Sequence, residues 1–126
     1  MRQEILNWLR QAESDMDKAQ VLSRNKNYDG AVFYFQQSVE KALKSLFLVK
    51  FKEIPKGHSI IYFAQKLGVA KELLSGVRDL NPEYLITRYP DMAAGIPAEL
   101  YDENIAKKHE KTAVEILKWA KKQIQE

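Results

Sequence analysis

The chain reads as an all-α protein in which three long amphipathic helices form a bundle. Three observations predict this. Apolar residues recur at helical spacing through three long stretches, strand-like alternation is missing throughout, and all four prolines and four of the five glycines fall between the stretches.

Residues 2 to 24 place Ile5, Trp8, Leu9, Ala12, Met16, Ala19 and Leu22 on one stripe, with Gln11, Glu13, Asp15 and Lys18 elsewhere. That spacing predicts a first helix ending near Asn25-Lys26-Asn27. The segment from Tyr28 to Lys52 is the most strongly patterned. Ala31, Phe35, Ser38, Val39, Ala42, Leu46 and Val49 repeat at helical spacing, while Gln37, Lys41 and Lys44 line another face. Leu43, Phe47 and Phe51 add a second stripe at i, i+4 and i+8, so this helix is expected to touch more than one neighbour. Asp29 is placed to cap its start and Pro55-Lys56-Gly57 to close the connection after it, which makes the first two helices a hairpin.

A shorter helix is predicted from His58 to Leu67, stopped by Gly68, and another from Ala70 to Leu80, ended by Asn81-Pro82. Residues 81 to 101 contain Pro82, Pro90, Gly95 and Pro97, so no regular element is expected to run through them. Tyr84, Tyr89 and Tyr101 give this connection an aromatic mass that a solvated linker lacks, which argues for order. A last helix runs from Asp102 to the end, with Ile105, His109, Ala113, Ile116, Ala120 and Ile124 on one stripe.

With 126 residues and no internal repeat, residues 1–126 fit one domain large enough for a core without disulfides. The absence of cysteine excludes a thiol nucleophile and cysteine-ligated zinc, and suits a reducing compartment. No early apolar run resembles a signal peptide and no stretch approaches the length that spans a bilayer, so a cytoplasmic protein is expected. Twenty Lys and Arg against 17 Asp and Glu give +3, which allows an anionic partner without demanding one. The cluster Lys41, Lys44, Lys50, Lys52 and Lys56, and a second one along the last helix, read first as solvated faces.

Catalytic signatures are absent: there is no H-E-x-x-H, no glycine-rich phosphate loop and no G-x-S-x-G elbow. No catalytic residue, metal site or cofactor is assigned. Glu13 and Asp17 share a helix face, but two such carboxylates are more often solvated than metal-bound. His58 sits with Lys56 at a helix start, where backbone N–H groups attract a phosphate; the simpler alternative is that Ser59 or His58 caps the helix. His109 falls on an apolar stripe, where a histidine is usually packed and satisfied by one hydrogen bond. The sharpest local feature is Arg88-Tyr89-Pro90-Asp91. Pro90 pushes Tyr89 toward an extended backbone, and a guanidinium beside an aromatic ring can grip phosphate and stack on a base. Arg88 could equally pair with Asp91 or with Glu40 and pin the loop to the bundle.

These motifs, Tyr28-Asp29-Gly30-Ala31, Gln36-Gln37-Ser38-Val39-Glu40-Lys41-Ala42-Leu43-Lys44, His58-Ser59-Ile60 and Arg88-Tyr89-Pro90-Asp91, in this order, resemble the HEPN domain family over essentially the whole chain. The resemblance implies a bundle of about five helices that commonly pairs into a homodimer. It also implies a partner, because many small prokaryotic members accompany a minimal nucleotidyltransferase and have been viewed as binders of nucleotides or of its substrates. Another branch cuts RNA without metal, using an arginine followed after four to six residues by a histidine. Neither Arg78 nor Arg88 has that histidine, so the ribonuclease motif is incomplete here.

Three readings follow. The leading one is a non-catalytic, homodimeric binding module that presents Arg88, Tyr89 and Asp91, with Lys41, Lys44 and His58, to a nucleotide, RNA or a nucleotidyltransferase. The second is a ribonuclease toxin of a toxin-antitoxin pair, in which His58 or His109 moves the proton and Arg88 stabilises developing charge. The third is a structural adaptor that dimerises through Leu43, Phe47 and Phe51.

Overall fold

The structure, a computed structural model, describes residues 2–125. Its long helices are α1 (Arg2–Arg24), α2 (Tyr28–Phe51) and α8 (Glu103–Gln125), with α3 (Ile60–Leu67) and α4 (Lys71–Leu80) between them. Three single turns, α5 (Glu83–Ile86), α6 (Pro90–Ala93) and α7 (Pro97–Leu100), occupy the segment expected to be irregular. The prolines explain both outcomes: none lets a helix run through, yet Pro90 and Pro97 each begin a turn, where their fixed φ suits the first helical position.

The helix ends follow from side chains near them. Ser59 caps α3 by accepting from the Tyr62 N–H at 3.4 Å, and Asn81 Oδ1, from the far end of α4, accepts the next free donor, Ile61 N–H, at 3.1 Å. Asp102 Oδ1 does the same for α8 through Ile105 N–H at 2.9 Å. Gly68 ends α3 at φ 73°, in the left-handed region that glycine enters without penalty. Asp29 lies inside the first turn of α2 rather than capping it; Asn27 holds the cap position and its side chain makes no capping bond.

Helix α2 is the axis of the bundle. It packs on α1, α3 and α8, and on α5 and α7 from the 81–101 segment. Ala31, Phe35, Ser38, Val39, Ala42 and Leu46 are buried as the stripe predicts. Two serines fasten α1 to it, Ser38 Oγ donating to Ala12 O at 2.7 Å and Ser45 Oγ to Ile5 O at 3.0 Å. On the other side of the core α4 meets α8 at Gly76, where a Cβ would collide with the Thr112 side chain.

The second stripe is corrected by this packing. Leu43 is fully buried and Phe47 is 6% exposed, its ring edge-on to Phe63 of α3 at 5.9 Å. Both belong to the protomer's own core, because α3 folds back over the end of α2. Only Phe51, 40% exposed, remains available to a second copy. Among the described residues no helix is long and apolar enough to cross a membrane.

Candidate functional site

The polar face of α2 is not solvated. Gln36, Glu40 and Lys44 are buried and Gln37 and Lys41 half-buried, because α1, α3 and α5 close over the helix on that side. Groups withdrawn from water must find partners. Here they form one continuous ladder. Lys41 Nζ donates to Asp15 of α1, itself 1% exposed, and to Gln37 Oε1 at 3.3 Å. Gln37 Nε2 donates to Gln36 Oε1 at 2.7 Å, and Gln36 Nε2 to Glu40 Oε1 at 3.4 Å. Lys44 Nζ meets Glu40 Oε2 at 3.3 Å and also lies 5.8 Å from the ring centres of Trp8 and Phe63.

His58 completes the ladder. Its Nδ1 is 3.1 Å from both Glu40 oxygens, and its backbone carbonyl accepts from Gln36 Nε2 at 3.4 Å. A carboxylate only accepts, so the proton of this contact sits on Nδ1 and Nε2 is the ring nitrogen turned away from Glu40. The side chain is 54% exposed, and its ring lies 5.0 Å from that of Tyr84 on α5. Thus the helix-start reading of His58 resolves in favour of Ser59 as the cap, while His58 itself turns onto α2.

Arg88 arrives from the same direction. Arg88 N–H and Tyr89 N–H both donate to Leu85 O at 3.0 Å, prolonging the helical coil beyond α5, so Tyr84 and Arg88 stand one turn apart on one side. The guanidinium carbon sits 3.7 Å from the centre of the Phe33 ring on α2. Among the described residues Arg88 forms no salt bridge, either with Asp91 or with Glu40, whose oxygens are taken by Lys44 and His58. Arg88, Tyr89 and Asp91 are all exposed, and Tyr89 is extended at φ −125°, ψ 117°, as Pro90 requires.

The result is a shelf on one face of α2. Phe33 seats Arg88 and, two turns or roughly 10 Å further along the axis, Glu40 seats His58. An arginine held over an aromatic ring, with no carboxylate partner, keeps N–H groups free for a planar anion. Of the residues expected at the site, the structure seats His58 and Arg88 on one face of α2 two turns apart, leaves Tyr89 and Asp91 exposed near Arg88, and turns Lys44 inward as a partner of Glu40. Lys41 is likewise engaged by Asp15. Phe33 is a site residue that the sequence reading misses, although an aromatic four residues before Gln37 on the polar face was the available signal, and Tyr84, noted there for its aromatic mass, was not placed at the site. Glu13, weighed as a metal ligand with Asp17, pairs with Lys121 at 2.7 Å. Among the described residues no group of three or more candidate ligands is placed to hold a metal ion.

His109 is 2% exposed, and its Nδ1 has no hydrogen-bond partner, contrary to the satisfied histidine expected from the stripe. Burial, reinforced by the charge of Lys108, lowers its pKa to about 4. The native state therefore refuses a proton that the unfolded chain accepts below its ordinary value near 6.5. Stability is full above that pH and is expected to fall as pH drops toward 4, by about 3 kcal/mol from this group. Glu83, whose pKa burial raises, acts in the opposite sense at the acid end. Urea unfolding at a series of pH values, compared between the parent and His109→Leu, isolates the histidine: the variant should lack the decline between neutrality and pH 5.

A HEPN domain family model matches residues 5–124. Among solved structures, TT1696 from Thermus thermophilus superimposes with a TM-score of 0.87 at 32% identity, covering 94% of this chain and 96% of that one. ST0689, an archaeal HEPN homologue, superimposes with a TM-score of 0.80 at 33% identity over 95% of this chain and 97% of its own. A Methanocaldococcus jannaschii protein, MJ1304, named as a proposed toxin, is 27% identical over 123 residues, 87% of this chain and 81% of the relative. The fold, the order of its motifs and these likenesses agree, and the chain belongs to the HEPN domain family.

Proposed function

We propose that this protein is a non-catalytic binding module, a homodimeric accessory or substrate-binding subunit for a minimal nucleotidyltransferase, which holds nucleotide or RNA phosphate at Arg88. The observation that supports it is the state of that side chain: exposed, stacked on Phe33 and without a carboxylate partner among the described residues. A guanidinium so held has spent little of its hydrogen-bonding capacity inside the protein. Tyr89 offers a stacking surface next to it, 53% exposed. The nucleotidyltransferase partner rests on the family resemblance, and the homodimer would form around Phe51 and Tyr62, 40% and 50% exposed, which line one cleft together with Glu53 and Lys66. Fluorescence anisotropy with labelled ATP and a short RNA tests the reading. Saturable, salt-sensitive binding is expected. Absence of binding to both, with no nucleotidyltransferase retained from a native lysate, defeats it.

A second reading is favoured by one specific contact, the anchoring of His58 by the buried Glu40. A histidine whose Nδ1 is fixed by a carboxylate presents Nε2 as a general base. In that role it would take the proton of a ribose 2′-hydroxyl as this oxygen attacks the adjacent phosphorus, the 5′ oxygen leaving with a proton from solvent and Arg88 stabilising the phosphoryl charge. The name borne by MJ1304 is compatible with such an activity. Cleavage of RNA by chelator-treated protein, lost in both His58→Ala and Arg88→Ala, is the expected result under this reading; RNA left intact by clean protein removes it.

A further inference from the structure

On the opposite side of α5 from Arg88, we infer that the cleft between α5, α7 and the start of α8 is a binding site for a small organic cation, an amine or guanidinium compound with an apolar body, whose charged head meets Glu83. The cleft is open to solvent, has a volume of about 320 Å³, and its walls include Ile86, Leu100 and Ile105. Its polar groups are Glu83, Tyr101, His109, Asp79 and Lys108.

Glu83 carries the argument. It is 8% exposed, yet among the described residues it forms no salt bridge; its polar partner is the Tyr101 hydroxyl, which donates to Oε2. A carboxylate taken from water without a countercharge is costly, and a single neutral hydroxyl does not replace one. The cost is visible in the group itself, since burial raises its pKa against the opposing effects of Tyr101 and Lys108. His109, nine-tenths buried with Nδ1 unpartnered, is a second group in the same lining whose polar capacity the fold leaves unused. It is also neutral at ordinary pH, so it does not repel a positive guest. Lys108 is the local cation, but it is 57% exposed and leans to Asp79 at 3.9 Å, at the rim rather than against Glu83. The three groups Asp79, Glu83 and Lys108 sum to one negative charge when ionised, the complement of a monovalent head. The apolar walls suit a short alkyl chain behind it.

Agmatine, which carries a guanidinium and a primary amine on an alkyl chain, is the probe. Calorimetric titration at physiological salt should give saturable binding, and amide NMR shifts should gather on α5, Tyr101 and the first turns of α8. Glu83→Gln keeps the shape and the hydrogen bond from Tyr101, and should weaken binding by about tenfold or more. Lys108→Ala removes the competing positive charge from an exposed position that does not threaten folding, and should tighten binding. Arg88→Ala should leave agmatine affinity unchanged, which separates this cleft from the phosphate shelf. Lack of saturable binding, shifts scattered over the acidic surface, undiminished binding in a folded Glu83→Gln protein, or weaker binding in Lys108→Ala each overturns the proposal.

Discussion

Glu40→Ala is expected to lower the stability of the protein by about 3–5 kcal/mol and its Tm by roughly 10–20 °C. The reason lies in what the substitution leaves behind. Lys44 is 8% exposed and Glu40 is its one carboxylate partner among the described residues, at 3.3 Å. Removing Glu40 strands that ammonium between Trp8 and Phe63, whose ring faces offer only partial compensation of about 1–2 kcal/mol. His58 and Gln36 lose an acceptor in the same step. The double variant Glu40→Leu/Lys44→Met removes both charges together and should recover most of the loss, because replacing a buried pair by apolar groups is far cheaper than breaking it. Urea unfolding of the single and double variants decides the matter. If Glu40→Ala unfolds at the parental urea concentration, the ladder on α2 is not what holds this face together.

Arg88→Ala should leave the fold nearly untouched and weaken phosphate-dependent binding by about 10- to 100-fold, the worth of a charge-assisted hydrogen-bond pair at an accessible site. The two effects separate because Arg88 is exposed and its contact within the protein is the stack on Phe33, worth about 0.5–1 kcal/mol. Losing one phosphate contact should also reduce the slope of log affinity against log salt by about one. Arg88→Lys keeps the charge but not the planar fork, so it should fall between the parent and the alanine variant. Anisotropy titrations at several salt concentrations, run beside thermal melts, measure both quantities. A variant that melts early yet binds normally would show that Arg88 serves the fold rather than a ligand, the outcome that the adaptor reading requires.

The helices were legible because each writes its own period. Ala31, Phe35, Val39, Ala42 and Leu46 declare the buried side of α2 without reference to any neighbour, and Ser59, Gly68 and Asp102 mark ends through contacts made within four residues of themselves. The turns α5 to α7 were hidden for the opposite reason. Four-residue segments are too short to show a period, and the prolines that separate them also begin them.

What the sequence alone determined is therefore the all-α class, the three long helices and the identity of the family, together with Arg88 and His58 as residues of interest. Tertiary structure alone decided what surrounds them: that Arg88 lies on Phe33, that Glu40 holds His58, that Lys44 turns inward and that Leu43 and Phe47 belong to the protomer's own core. Helical periodicity is a property of local backbone geometry, so it is written in neighbouring residues. Which lysine loses its water depends on the crossing of α1, α3 and α5 over α2, and those contacts join residues from 18 to 55 positions apart, beyond the reach of any local pattern.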